Sequence, residues 1–308
     1  MKKELVLVAL GAVMSLASCS SENDIIPGKA ESPDVQSSPV KFFPSINGAT
    51  PQTRAGNAAW AAGDAIGIFM VNGVPSAVDH TVNKAYKTAD GSKNFTPVSM
   101  DDYIYYPVNG STVNFISYYP RQAGILLENL YSVDVTDQNS PVDIDLLYAK
   151  TATGYSKAAS GNTVQLSFDH KLTHMVLNIT PGTGLTAEDL KNMVVTVKGL
   201  KTATTLDLKD GTLGTPDAVA DIVMKTQTDG LKSDAILVPQ SVADNTVTIE
   251  FEIVTANGTE VFVYKVPAIT FESKKEHVYA VTINRTGISV TGEINDWAAG
   301  TGGSGTAD

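Results

Sequence analysis

"TVTIEFEIV", residues 246–254, decides the fold class of this chain of 308 residues. From Thr246 to Ile253, valine, isoleucine and phenylalanine alternate with threonine and glutamate. Successive side chains of a strand point to opposite faces, so this period of two predicts an antiparallel strand with one buried face. Asn257-Gly258 follows and is the strongest short signal for a hairpin. The apolar stretch 261–266, "VFVYKV", predicts the returning strand.

Similar strand signals recur from residue 40 onward, separated by clusters of Gly, Asn, Asp and Ser, while helical periodicity is almost absent. About fifteen short strands exceed what one sandwich usually holds. The sequence therefore predicts an all-β protein with two β-sandwich domains in tandem. The predicted strands outside the hairpin include 40–46, 65–71, 103–107, 112–120, 143–150, 163–168, 277–284 and 287–294.

The composition of the connecting segments predicts the domain organisation. A loose stretch, "TGYSKAASGN" at 153–162, precedes the predicted boundary between an N-terminal domain, 40–165, and a C-terminal domain, 166–299. Residues 19–39 are rich in Ser, Pro, Asp and Glu and predict a disordered tether. The Gly-rich residues 300–308 predict a flexible tail.

The first eighteen residues predict a lipoprotein signal peptide. Two lysines precede the apolar stretch 5–14, which is too short to span a bilayer and suits a signal-peptide core. Leu16-Ala17-Ser18-Cys19 resembles a bacterial lipobox, in which the chain is cut before the cysteine and the cysteine carries acyl chains such as palmitate. Cys19 is the only cysteine, so it cannot close an intrachain disulfide. A lipid on Cys19 would give the precursor a stable membrane anchor.

The charge of the chain limits its partners. A formal net charge of −11 argues against nucleic acid, because phosphates attract Lys and Arg, and it suits solubility outside the cell. After residue 18 the sequence contains no apolar run of about eighteen residues, so no membrane-spanning helix is predicted.

The sequence does not predict an enzyme. His170 and His174 fall on one predicted strand, which would set their Cα atoms roughly 13 Å apart, too far to share a metal. Asp143 and Asp145 would lie roughly 7 Å apart on one strand face, within the range of a glycosidase pair, but such pairs are common on solvated faces. The sequence lacks a nucleophile elbow, a CxxC pair and a phosphate loop. We therefore predict no catalytic residues, no cofactor and no metal site.

Several stretches of the chain, taken together and in order, resemble the fimbrillin family, the lipoprotein precursors of type V pili in Bacteroides-type bacteria. They are the lipobox at 16–19, "TRAGNAAWAAGDAIGIF" (53–69), "YYP" at 105–107 and 118–120, "DLLYA" (145–149), "LSFDHKLTHMVLNI" (166–179) and "EINDWAAG" (293–300). The resemblance covers nearly the whole chain. It implies two transthyretin-like β-sandwich domains and a pilus subunit that is exported through the periplasm, anchored in the outer membrane and displayed at the cell surface. Its expected partners are other pilus subunits and adhesion ligands on host or bacterial surfaces.

Arg54 is the predicted site of proteolytic maturation. It follows Pro51-Gln52-Thr53 in a polar stretch that fits a protease cleft better than a folded strand does. Members of the family that this chain resembles are matured after an arginine between the first strand and the rest, and Arg54 occupies the matching position. The resemblance thus implies an Arg-specific protease that removes "VKFFPSI" (40–46) and leaves Ala55 as the new N-terminus.

Loss of strand 40–46 would leave an apolar groove with unpaired backbone groups, which is a template for a strand of another chain. The best donor is 286–296, in which Ile288, Val290 and Ile294 lie on one strand face. A head-to-tail contact that does not close makes a filament. Two alternatives stay open at this point. The segment 286–296 completes its own sandwich, or the whole chain is a non-polymerising surface lipoprotein, such as a pilus anchor, a tip adhesin or a glycan- or host-protein-binding module.

Overall fold

The computed structural model describes residues 38–47, 59–72, 77, 81–151, 154–255 and 258–297. The structure is 54% strand and 4% helix, which confirms the prediction of an all-β fold. In the described ranges, no helix is long and apolar enough to cross a membrane. The predicted signal peptide (1–18), almost all of the tether (19–39) and the tail (300–308) lie outside the described residues.

In the described residues the secondary structure consists of short strands with three short helical turns. The strands of the first part are β1 (Lys41–Ile46), β2 (Ala65–Val71), β3 (Lys84–Thr88), β4 (Phe95–Pro97), β5 (Asn114–Tyr119), β6 (Leu130–Asp134), β7 (Leu147–Lys150) and β8 (Thr163–His170). The others are β9 (Thr173–Pro181), β10 (Val194–Lys198), β11 (Lys201–Asp207), β12 (Thr212–Leu213), β13 (Asp217–Val219), β14 (Ile222–Val223), β15 (Lys225–Thr226), β16 (Lys232–Leu237), β17 (Gln240–Val242), β18 (Val247–Thr255), β19 (Gly258–Val266), β20 (Ile269–Phe271), β21 (Lys275–Asn284) and β22 (Gly287–Asp296). The helical turns are a 3₁₀ turn at Met100–Asp102, α1 (Pro141–Ile144) and α2 (Lys157–Ser160).

The first part of the chain closes a barrel with the strand order β1-β4-β3-β2-β5-β7-β8. β1 completes the barrel by pairing in parallel with β8 and in antiparallel with β4. Because β1 and β8 are parallel, they finish at the same end of the barrel. Only two residues separate the end of β8 at His170 from β9, so this end of the barrel leads into the rest of the fold. The opposite barrel end, where β1 and β8 begin, also carries the loop 98–113 and is called the free end below.

The second part forms a sandwich from two main sheets, with the strand orders β14-β10-β18-β19 and β15-β16-β9-β21-β22. The hairpin predicted from "TVTIEFEIV" is confirmed, because β18 and β19 pair in register from Val247↔Val266 to Thr255↔Gly258. The last two predicted strands are confirmed as well, and they pair with each other as β21 and β22 from Lys275↔Asp296 to Asn284↔Gly287.

Two hydrophobic clusters form the core, and the barrel contributes to both. Ile68 and Phe115 point into the barrel, whereas their strand neighbours Phe69 and Ile116 point outward into the cluster shared with the sandwich. The described residues from 38 to 297 accordingly form one compact unit. The predicted boundary between residues 165 and 166 falls inside β8, whose partners are β1 and β7. The division into two transthyretin-like domains stays a prediction.

Two predicted strands are wrong in whole or in part. Residues 103–107, "YIYYP", form no strand ladder, although the carbonyl of Ile104 accepts a hydrogen bond from the Val40 amide at 2.8 Å. Within 143–150, the strand begins only at Leu147, because Pro141 starts the helical turn α1 and proline favours the first helical position.

Candidate strand-exchange site

β1 occupies a groove between β4 and β8 and supplies one side of the barrel core. Its residues from Lys41 to Ile46 pair one by one with Thr163 to Phe168 of β8, and Phe42 also faces Phe95 of β4. The stretch of sequence that joins β1 to the rest of the barrel contains Arg54. Arg54 and Ala55 lie outside the described residues, as does Cys19. The other barrel strands, β2 to β5, β7 and β8, all follow Arg54 in the sequence, so a cut after Arg54 would separate β1 from them.

The inward-facing side chains of β1 are Val40, just before the strand, and Phe42, Pro44 and Ile46, and all four are buried. Phe42 lies deepest, and its ring contacts two aromatic rings edge to face, those of Tyr86 at 5.0 Å and Phe115 at 5.1 Å. Such edge-to-face pairs add to the free energy gained by removing the rings from water. Phe42 is thus the main anchor of β1.

Trp60, which lies after Arg54 in the sequence, contacts the middle of β1. Its Nε1 donates a hydrogen bond of 3.1 Å to the carbonyl of Pro44, and its buried indole packs edge to face on Phe168. The residues between Trp60 and Asp64 turn the chain into β2, and Asp64 accepts a hydrogen bond from the Ala61 amide at 2.7 Å. The contact with Pro44 was not predicted, because the local pattern contains no signal for it.

β22, the predicted donor strand, is an edge strand that pairs with β21 alone among the described strands. Ile288 and Val290 are half-buried and pack against the sandwich core, whereas Ile294 is 53% exposed. Gly292 faces Tyr279, and a Cβ atom at this position would lie 2.8 Å from that ring. The predicted donor face is therefore only partly covered by its own sandwich.

A stack of three rings holds the C-terminal end of β22 where the barrel meets the sandwich. The buried indole of Trp297 stacks on His170 at 4.1 Å between ring centroids and on His174 at 5.3 Å. The prediction that the two histidines lie on one strand is wrong, because β8 ends at His170 and β9 begins at Thr173. The Trp297 amide donates to the carbonyl of Lys274 at 2.8 Å. This stack was not predicted, since it depends on three strands that are distant in sequence.

Both stacked histidines bind carboxylates. The Nδ1 of His170 lies 3.0 Å from Asp145, and the Nδ1 of His174 lies 2.9 Å from Glu276. Burial lowers the pKa of His174, but hydrogen bonds to Asp234 and Glu276 outweigh it and bring the pKa above its ordinary value. The buried Asp145 follows α1 and thus does not share a strand face with the exposed Asp143, so the predicted carboxylate pair is wrong. In the part of the chain that the structure describes, no cluster of His, Cys, Asp and Glu is suited to a metal.

His277 has the opposite environment to His174. Its ring is buried against Phe271, with 5.1 Å between the centroids, and neither nitrogen has a hydrogen-bond partner among the described residues. Burial lowers the pKa of His277 to about 4, although the nearby Glu272 opposes the shift. A neutral imidazole is therefore the stable form of this side chain in the folded protein.

We expect the two histidines to give pH dependences of opposite sign. The folded pKa of His277 lies below the unfolded value of about 6.5, so stability is present above that pH and is lost as the pH falls towards 4. Relative to His277→Leu, the unfolding free energy should fall by about 2 kcal/mol over this range, allowing for partial solvent screening. The raised pKa of His174 should favour folding at low pH, and this contribution should disappear as the pH rises.

Urea unfolding of the wild type, His277→Leu and His174→Leu at several pH values measures both effects. Each variant is compared with the wild type at the same pH, which cancels the titration of the surface carboxylates. Parallel stability curves for the wild type and His277→Leu would contradict the assignment of a neutral, buried His277.

The sequence and the fold are similar to those of several Bacteroides proteins. A protein of Bacteroides uniformis named as a candidate fimbrium subunit, Fim1C, is 31% identical over 315 residues, which span 100% of this chain and 99% of the relative. A crystal structure of a candidate cell adhesion protein from Bacteroides uniformis is 30% identical, with a TM-score of 0.72 over 84% of this chain and 98% of that one. Another such structure, from Bacteroides ovatus, shares the fold at 24% identity, with a TM-score of 0.66 over 85% of this chain and 98% of that one.

The architecture defines a class of all-β protein in which an early strand closes a barrel and a late strand forms the edge of a sandwich. The sequence model of one family, described as fimbrillin-like, matches residues 53–297. The chain belongs to this fimbrillin-like family, which confirms the resemblance seen in the sequence. The matched region begins at Thr53, next to Arg54, and ends at Trp297.

Proposed function

We propose that this protein is a structural subunit of a cell-surface pilus that polymerises by donor-strand exchange. It is exported as a lipoprotein and cleaved after Arg54, which frees β1 from the rest of the chain. β22 of another subunit then fills the vacated groove. The observation that carries this proposal is the agreement between the inward face of β1 and one face of β22.

The groove left by β1 would be both apolar and unpaired. β8 would lose a partner along six residues, and the pocket between Tyr86 and Phe115 would lose the ring of Phe42. Unpaired backbone groups at a buried edge are costly, and an exposed strand edge readily accepts another strand. The cleaved subunit therefore has a strong tendency to bind an extended apolar segment.

β22 repeats the spacing of β1 position by position. Val40, Phe42, Pro44 and Ile46 occupy alternate positions, and Ile288, Val290, Gly292 and Ile294 have the same spacing. In both strands the third position has no large side chain, which suits the site where Trp60 bonds to the backbone of Pro44. The two strands thus present three apolar side chains at equivalent places.

The exchange gains contacts that β22 does not make in its own sandwich. At the sheet edge β22 has one neighbouring strand, whereas β1 has two neighbours in the groove. Ile294 is half exposed at the edge and would replace the buried Ile46. Completing the burial of one such side chain contributes roughly 1 kcal/mol, and the second ladder of hydrogen bonds adds to it.

Export and maturation follow from the predicted processing sites. A lipid on Cys19 would hold the precursor at the outer membrane after its passage through the periplasm, and an Arg-specific protease would release the subunit for assembly. The relatives named as a candidate fimbrium subunit and a candidate cell adhesion protein support a place in a surface pilus that mediates adhesion. The partners would be further pilus subunits and the surface ligands to which the pilus attaches.

The N-terminal residue of the protein in fibres and in membranes tests this proposal. We expect fibres sheared from cells to contain chains that begin at Ala55, and the membrane fraction to contain chains that begin at an acylated Cys19. Mass spectrometry of the two fractions makes the distinction directly. Surface protein that begins only at Cys19 would instead indicate a pilus anchor or a solitary lipoprotein.

A further inference from the structure

We propose that the free end of the barrel is a docking surface for a second copy of this chain, and that exposed apolar side chains of the loop 98–108 form its contacts. The inference rests on the proposed strand exchange and deepens it, because it assigns an interface between the folded bodies of two subunits. The side chains concerned are those of Val98, Met100, Tyr105 and Val108.

These four apolar side chains are exposed on one loop, which also carries Asp101 and Asp102. Met100 is 83% exposed and Val108 is 96% exposed, while Ile104 beneath them is buried. In the uncleaved chain, the hydrogen bond from the Val40 amide to the Ile104 carbonyl shows that this loop lies beside the start of β1. Single exposed apolar residues are ordinary, but several on one loop at the rim of a groove indicate an interaction surface.

The shape of the groove decides the direction of the incoming strand. If β22 runs in the same direction as β1, Val290 enters the pocket of Phe42 and Gly292 takes the place of Pro44. In the reverse direction, Gly292 would meet the pocket of Phe42 and leave a cavity between Tyr86 and Phe115. Cavities of this size are strongly destabilising, so the geometry favours the direction of β1.

The chain path gives the same direction independently. The groove end near Ile46 leads through the end of β8 into the sandwich of the same molecule, and a second body has no room there. The donor strand is joined to its own body at its N-terminal side, through Arg285 and Thr286. That body must therefore arrive at the free end, where β1 begins.

The two bodies must then touch. With Ile288 in the place of Val40, only Gly287 separates the donor strand from the turn at Arg285 and Thr286. One extended residue spans about 3.4 Å, which is less than the reach of a methionine side chain. The loop that carries Met100 and Val108 thus lies against the neighbour's turn.

The neighbour's end carries exposed apolar side chains beside the ion pair of Arg285 with Glu260. Its turn is bound to the chain that follows β9, since the Arg285 amide donates to the Thr183 carbonyl at 3.0 Å. β10 begins and β18 ends at this side of the sandwich, where Val194 is exposed and Val254 is 67% exposed. Two different ends with exposed apolar side chains, brought together by a strand, give a head-to-tail contact that does not close, as a filament requires.

Polymerisation and peptide binding, measured in parallel, test the docking surface. The full chain is cleaved with an Arg-specific protease, which does not cut at the introduced lysines. Polymers are followed by light scattering, and a labelled peptide of residues 286–296 is tested for binding to the groove. Val108→Lys should slow polymerisation about tenfold, as expected for a charge placed in an interface core, and should leave peptide binding unchanged. The double variant Met100→Lys and Val108→Lys should be slower still.

Val219→Lys is the matched control, since Val219 is 68% exposed but lies on β13, away from the free end. Each lysine makes the net charge of −11 less negative, so general repulsion cannot explain a loss of polymer. Equal rates for Val108→Lys and Val219→Lys would overturn the inference, and so would an equal loss of peptide binding, which would place the effect in the groove. If the wild type binds no peptide and forms no polymer, the proposed function itself fails, and the docking surface with it.

Discussion

Arg54→Ala is expected to abolish fibre formation while leaving a stable, folded precursor. In the uncleaved chain β1 remains covalently tethered to its groove, and a short tether gives it an effective concentration in the millimolar range. A donor strand from another chain at micromolar concentration competes at a disadvantage of about a thousandfold, or about 4 kcal/mol. The buried anchor Phe42 adds to this advantage of β1. Electron microscopy of sheared surface material should show no fibres.

Two further variants separate cleavage from other effects of losing a cation. Arg54→Lys removes the site of an Arg-specific protease but remains a trypsin site, so its fibres should be absent from cells and should form after trypsin treatment of the purified chain. Lys93→Ala removes an exposed positive charge elsewhere on the barrel and should assemble normally. Normal fibres from cells that carry Arg54→Ala would exclude maturation at this residue.

The strands that the sequence predicted well are those whose pattern is set by local burial. The alternation in 246–254 predicted β18, and the spacing of Ile288, Val290 and Ile294 predicted one face of β22. The same reasoning failed at 103–107, where the apolar side chains alternate but the backbone bonds to side chains and to Val40 instead of a ladder. Periodicity reports which face is buried, and it does not report which group satisfies the backbone.

The features of the site that escaped prediction all depend on contacts distant in sequence. The parallel pairing of β1 with β8 joins residues near 41 to residues near 163, and no local pattern indicates a partner at that separation. His170 and His174 were assigned to one strand because apolar residues continue through the segment, although a two-residue turn divides it. The Trp297 stack depends on that turn. Local propensity was therefore sufficient to predict the fold class, but it was insufficient to predict the contacts where the barrel meets the sandwich.

Val290 is expected to control the strength of the subunit contact, because it would occupy the pocket that Phe42 leaves. Val290→Asp would place a carboxylate between the rings of Tyr86 and Phe115, where no cation is available to pair with it among the residues described around Phe42. Burying an unpaired charge costs several kcal/mol, so polymerisation of the trypsin-cleaved chain should fall by more than about a hundredfold. Ser289→Asp introduces the same charge on the exposed face of β22 and should polymerise nearly as well as the wild type.

Val290→Phe is expected to act in the opposite direction and to strengthen the fibre. Valine is smaller than the phenylalanine that it replaces in the groove, and a Phe side chain at this position would restore the edge-to-face contacts of Phe42. Since Val290 is only half-buried at the edge of its own sandwich, the larger side chain can be accommodated there before exchange. Subunit release from preformed fibres, measured as loss of polymer in increasing denaturant, should require a higher concentration for Val290→Phe than for the wild type. If Val290→Phe weakens the fibre, Val290 does not enter the pocket of Phe42, and the strand direction that follows from this pairing is wrong.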